Sequence, residues 1–154
     1  MRTIRGQIEI ARPIEETFDF VADETNEPRY NDEMIRCEKV TPGPIGFGTR
    51  CDAEMKTRTG TFPMTIEVTG FERPNRLASR SHLETMDIRG ELKFEAIDDR
   101  TRMSWEWELE PHGCMRVLGP IVTRMGQRQE ERIWTRLKQL LEGETPPAEA
   151  GRRV

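Results

Sequence analysis

A chain of 154 residues with a net charge of −4 is long enough for one hydrophobic core and too acidic to read as a general nucleic-acid binder. Hydrophobic and charged residues each supply 34% of it, mean hydropathy is −0.75, and no apolar run approaches the length of a membrane-spanning helix. The N-terminus lacks the apolar core of a signal peptide, and Cys37, Cys51 and Cys114 are scattered, odd in number and without CxxC spacing, which fits a reducing cytoplasm better than a disulfide framework.

Thr3 to Ile10 alternates, with Ile4, Gly6, Ile8 and Ile10 on one side, and predicts a half-buried strand. Pro13 then opens a short helix, PIEETFDFVAD, in which Ile14, Phe18 and Val21 share a face. The polar stretch ETNEPRYNDEM, broken by Pro28, has room for a second short helix before a strand from Ile35 to Thr41. PGPIGFG is a turn cluster; it lacks the Lys-[Ser/Thr] of a phosphate loop and opens no helix. Strands follow at Thr49 to Thr57 and Phe62 to Phe71, joined by a Thr59-Gly60 turn, with Gly70 marking a bulge. Arg76 to Glu84, Asp87 to Ile97 and Thr101 to Glu110 complete the strands, and in the last Met103, Trp105, Trp107 and Leu109 face one way.

The final long segment, Gly119 to Gly143, reads as one helix: Pro120 suits a first turn, and Gly143 suits the left-handed residue that ends a helix. It is roughly 35 Å long. Val122, Met125, Ile133, Leu137 and Leu140 recur three or four positions apart, so one face needs a broad apolar partner. The order is strand, two short helices, six antiparallel strands, long helix. This predicts a single α+β domain over residues 1–143, a curved antiparallel sheet of about seven strands wrapped around the helix. Residues 144–154, polar and Pro-rich, are expected to be a mobile tail.

Five segments carry a family resemblance: ARPIEETFDFVADETNEPRYND, TPGPIGFGTR, VTGFERPNRLASRS, ELKFEAIDDRTRMSWEWELE and RLKQLLE. In order and spacing, from about Ile4 to Glu142, they resemble the helix-grip superfamily, also called START-like, SRPBCC or polyketide cyclase/dehydrase-like. The resemblance implies a hollow between sheet and long helix that holds a small apolar or aromatic ligand, lipid- or polyketide-like. It implies no single activity, because this fold serves carriers, cyclases, receptors and chaperone co-factors alike.

The residues expected to line that hollow follow from strand parity and helix phase. From the sheet they are Cys51, Met55, Met64 and Ile66, then Leu92, Phe94, Trp105 and Trp107. From the helix side they are Leu118, Val122, Met125, Gly126 and Gln129. With Met125 at zero and 100° per residue, Leu118, Val122, Ile133 and Leu140 fall between about 20° and 80°, Gln129 at about 40° and Gly126 near 100°. An amide and a glycine inside an apolar stripe suggest a helix bordering a space, with Gln129 as the polar contact and Gly126 leaving room beside it. The alternative is a rotated helix whose Gln129 bonds a strand side chain.

No HExxH, paired-cysteine or nucleophile-elbow spacing is present, so no metal and no cofactor are expected. Two catalytic candidates remain. If Leu77, Ser79, Ser81 and Leu83 face inward, His82 is a surface residue. If the Gly70 bulge shifts the phase, Arg80 and His82 enter the hollow together as an acid–base pair. His112 lies in the loop before the helix. The leading reading is a cytoplasmic carrier or sensor of a small apolar ligand, with no nucleic-acid partner and no stable membrane insertion. A metal-free polyketide aromatase, cyclase or dehydratase is the alternative. A chaperone-activating protein, on the acidic row Glu106, Glu108 and Glu110, is the third reading. Ligand identity and oligomeric state, a homodimer included, stay open.

Overall fold

The computed structural model describes residues 2–143; the expected tail, 144–154, lies outside the described residues. The strands are β1 (Arg2–Ile10), β2 (Met34–Lys39), β3 (Arg50–Lys56), β4 (Thr61–Glu72), β5 (Arg76–His82), β6 (Met86–Ile97) and β7 (Arg100–Pro111). There are two α-helices, α1 (Ile14–Ala22), followed by a 3-10 helix at Glu24–Arg29, and α2 (Gly119–Gly143), preceded by one at Gly113–Leu118. The strands form one sheet in the order β1-β7-β6-β5-β4-β3-β2, antiparallel throughout. This is the helix-grip fold: a curved seven-stranded antiparallel sheet closed by a long C-terminal helix.

The Gly70 irregularity sits on β4, where the register shifts between Val68 and Gly70. β5 keeps Leu77 buried, as is Leu83 just after it, and leaves Arg80 and His82 exposed. Glycines of β1 and β6 make room for the two indoles of β7. Gly6 pairs with Trp105 and Gly90 with Trp107, and a Cβ at Gly90 would come within 2.8 Å of the Trp107 ring.

Long-range hydrogen bonds fasten α2 at both edges of the sheet. At edge strand β1 the Gln127 side chain accepts from the Arg5 N–H (3.2 Å) and donates to the Arg5 carbonyl (2.8 Å), satisfying backbone groups that an edge leaves open. Lys138 Nζ donates to the Glu9 carbonyl at 2.7 Å. At the opposite edge, just before β2, Arg136 pairs with Asp32 (2.6 Å) and Arg132 with Glu33 (3.3 Å).

The buried face of α2 is Val122, Ile133, Trp134, Leu137 and Leu141, so the stripe expected between about 20° and 80° from Met125 is turned by roughly 60°. Trp134 accounts for the difference. Its ring lies 6.2 Å from Trp105 and 5.9 Å from Tyr30, and burying so large a side chain sets the rotation of the helix. Met125 turns outward as a result, 65% exposed, and Leu140 is only half-buried; Leu118, 44% exposed, ends the 3-10 helix before α2. Gly126 does not border an open space either. A Cβ there would meet Leu109 Cδ1 at 3.3 Å and Ile4 Cδ1 at 3.5 Å, so the glycine lets α2 press directly on β1 and β7.

Candidate functional site

A cavity of about 130 Å³ lies between the sheet and the middle of α2. One wall is apolar and comes from successive strands: Met55, Met64, Ile66, Leu77, Ile88 and Leu92. Ser79 and Ser81 of β5 join this wall, placed there by the same parity that turns Arg80 and His82 outward. The other wall is polar and comes from the segment between α1 and β2, with Glu24, Glu27, Tyr30 and Asn31, and from α2, with Gln129, Glu130 and Trp134.

The polar wall is organised locally. Asp23 caps the 3-10 helix by accepting from Thr25 N at 3.1 Å. One turn apart in that helix, Glu24 and Glu27 stand on one side. Asn31, 3% exposed, donates from Nδ2 to Glu27 Oε1 at 2.9 Å. From α2, Glu130 Oε2 accepts from Trp134 Nε1 at 2.6 Å and from Trp107 Nε1 at 3.0 Å. Gln129 lines the cavity and also donates to Glu33 Oε2 at 2.6 Å, which ties the helix to the turn before β2.

These carboxyls sit in an unusual electrostatic setting. Glu24 and Glu130 have intermediate exposure, which fits groups bordering a cavity, while protein packs around their carboxyls. Burial pushes Glu130 up to about 7, helped by the charge of Glu27 and opposed by its two indole hydrogen bonds. Burial raises Glu24 well above the usual carboxylate range, and the charge and hydrogen bond of Glu27 add to it. A protonated carboxyl near neutral pH can donate a hydrogen bond to a ligand or transfer a proton to it. Among the described residues, no three His, Cys, Asp or Glu side chains are grouped so as to hold a metal ion.

Of the residues expected at the hollow, Met55, Met64, Ile66, Leu92, Trp107 and Gln129 lie on the cavity wall. Cys51, Phe94, Trp105 and Val122 are buried but are not on it; Phe94, for example, packs edge-to-face on Phe18 at 5.1 Å. Met125 is turned outward by the rotation of α2, Gly126 presses on β1 and β7, and Leu118 lies exposed at the end of the 3-10 helix before α2. Arg80 and His82 are on the other face of the sheet, with side chains 61% and 68% exposed. There His82 Nδ1 and His112 Nε2 both meet Asp87, at 2.5 Å and 3.0 Å, and the His82 hydrogen bond, then that of His112, holds the Asp87 carboxyl below its usual range. Sequence reasoning missed Glu24, Glu27, Tyr30, Asn31, Glu130 and Trp134. The available signal was Trp134: with Val122, Leu137 and Leu141 it defines a stripe that contains Glu130.

The sequence matches the family described as polyketide cyclase / dehydrase and lipid transport over residues 1–142, and the chain belongs to that family. No curated protein matches it. Among solved structures it is similar to a START superfamily protein from Mycobacterium smegmatis (14% identity, TM-score 0.78, covering 92% of this chain and 97% of that one). It is also similar to a Thermus thermophilus protein (18%, TM-score 0.73, 90% and 95% covered) and to the Zhui aromatase/cyclase of a Streptomyces species (13%, TM-score 0.68, 93% and 92% covered). At these identities the likeness shows the fold alone. No helix among the described residues is long and apolar enough to cross a membrane.

Proposed function

We propose that the protein binds a small, largely apolar ligand in the cavity between sheet and α2, as a carrier or sensor. What supports this reading is the two-sided wall: six apolar side chains from the strands face a cluster of polar groups, the usual composition of a small-molecule site. Family membership supports it as well. The test is direct. Purified protein extracted with organic solvent is expected to release a compound detectable by mass spectrometry, and Ile66→Trp, which fills the cavity, is expected to release none. Equal recovery from both proteins would refute the reading.

One observation favours a second reading, acid–base catalysis of the kind a cyclase or dehydratase needs. Glu130 is pushed up to about 7 and lies on the cavity wall, so near neutral pH both of its protonation states are populated. Turnover of a polyketone mimic, lost in Glu130→Gln and kept in Arg80→Ala, is the expected result; loss in Arg80→Ala alone would put the chemistry elsewhere.

A further inference from the structure

We propose that the cavity selects a ligand carrying a protonated amine on an apolar body about the size of one aromatic ring, with the ammonium seated among Glu24, Glu27 and Glu130. The inference rests on the reading of this cavity as the ligand site and names the class of ligand it takes.

Charge gives the first argument. Three of the lining side chains are carboxyls and none is Lys, Arg or His. Elsewhere in the molecule carboxylates meet arginines, as in Asp19–Arg73, Glu91–Arg76 and Asp32–Arg136. Inside the cavity the walls supply no such partner. Carboxyls removed from water without a counter-charge are costly to ionise and so hold their protons, and a cation brought by the ligand is what would stabilise their ionised form.

The aromatic residues give an independent argument. Tyr30, Trp107 and Trp134 line the same cavity, with the Tyr30 ring 5.9 Å from that of Trp134. Aromatic faces attract an ammonium through their quadrupole, most strongly where water is excluded. Tyr30 is only 1% exposed, and its hydroxyl makes no hydrogen bond among the described residues although it borders the cavity. A buried hydroxyl in that position is an open acceptor for an N–H donor.

Geometry narrows the cation. The carboxyls are not grouped tightly enough to hold a metal ion, which suits a larger organic cation with several N–H donors. The volume of about 130 Å³ compares with roughly 150 Å³ for an engineered protein cavity that accepts benzene. The sheet wall opposite the carboxyls is uncharged: Met64, Ile66, Ile88 and Leu92 offer a surface for the apolar body and nothing for a second charge.

The pH dependence follows. The titratable groups around the ammonium position are Glu24, Glu27 and Tyr30 before β2 and Glu130 on α2, with Asp23, Cys37 of β2 and Cys51 of β3 close behind. Without ligand, burial holds Glu24 and Glu130 protonated to higher pH than usual. An entering ammonium reverses that preference, so binding at mildly acidic pH releases protons and tightens as pH rises.

The experiment uses the full chain and three isosteric probes, 2-phenylethylamine, 2-phenylethanol and phenylacetate, followed by tryptophan fluorescence and calorimetry. The amine is expected to bind roughly tenfold or more tightly than the alcohol, and phenylacetate most weakly. Amine affinity should rise from about pH 5.5 to about pH 8, with a binding enthalpy that depends on the buffer because protons leave. Glu130→Gln retains a carbonyl oxygen for both indole donors and so should fold; it and Glu27→Gln should each lose the amine preference while still binding the alcohol. An alcohol that binds as tightly as the amine, with affinity falling as pH rises, would overturn the amine assignment and leave the cavity reading standing. No saturable binding by any probe, together with no retained compound in the solvent extract, would overturn both.

Discussion

Across the inner face of the sheet, the β1, β6 and β7 side is packed differently from the β2, β3 and β4 side. On the first, α1 and the C-terminal half of α2 lie on a continuous aromatic and aliphatic core. Phe18 is fully buried and meets Phe94 of β6 edge-to-face at 5.1 Å, while Leu137 and Met103 are also fully buried. On the second, the buried side chains are Met34, Met55 and Met64 with Cys37, Cys51, Ala53, Ile66 and Leu83. Methionine and cysteine are compact, polarizable and unbranched, so they adapt to a changing neighbour. Two of these methionines and Ile66 line the cavity, and where α2 faces it the helix adds the polar Gln129 and Glu130 beside Ile133 and Trp134. The aromatic side holds the fold; the space opens against the adaptable side and is closed by Ile88 and Leu92 of β6 and Trp107 of β7.

Truncation should separate the two sides most clearly. Phe18→Ala is expected to cost about 3–5 kcal/mol, as for a ring removed from close packing. Met64→Ala, beside a space already open, should cost about 2 kcal/mol or less, at or below the low end for buried methionine. Chemical denaturation of both variants measures this, and equal losses would mean that the Met-rich side is packed as solidly as the other.

A second test uses pH. The folded pKa of Glu130, about 7, lies above its ordinary 4.5, so between those values the folded protein binds more protons than the unfolded chain. Stability from this group is therefore full below about pH 4.5 and is lost as pH rises through about 7. The loss has an upper bound on the order of 3 kcal/mol. Glu130→Gln should remove that slope, and Glu24, shifted in the same direction, adds to whatever slope remains. A wild-type stability that rose across this window would place the carboxyl in contact with solvent or a cation.

The same contrast explains what the sequence made legible. Alternation placed Cys51, Ala53, Met55, Met64 and Ile66 on the inner face, because one sheet face is buried and side chains alternate strictly. The long helix between Pro120 and Gly143 was equally clear, since its punctuation is local. The polar wall was not. Glu24 and Glu27 belong to a stretch that looks solvated, and only the docking of α2 across it makes it a cavity wall. Glu130 hid among alternating charges, and placing the stripe's centre between about 20° and 80° from Met125 left Trp134 and Glu130 outside it. Helix rotation is set by which large side chain finds a partner across the interface, and periodicity alone does not name that partner.

Gly126 gives a smaller, sharper test of that rotation. Because Leu109 and Ile4 already stand 3.3 Å and 3.5 Å from a Cβ there, Gly126→Leu overpacks the contact between α2 and the β1/β7 side. We expect a loss of about 1–3 kcal/mol with ligand uptake retained. Blocked uptake at unchanged stability would mean that this turn of the helix borders the cavity after all.

The smallest expected effect is on the outer face. His82 is well exposed and shares Asp87 with His112, an arrangement of partly exposed groups in which screening leaves little net energy. His82→Ala should change stability by about 0.5 kcal/mol or less, and it should leave ligand affinity untouched, since β5 turns Ser79 and Ser81, not His82, toward the cavity. The variant therefore tests the face assignment more than the ion pair. If it weakened ligand binding about tenfold while the apolar wall variants did nothing, the outer His82–Asp87–His112 group would be the site, and the acidic cavity only a packing defect beneath it.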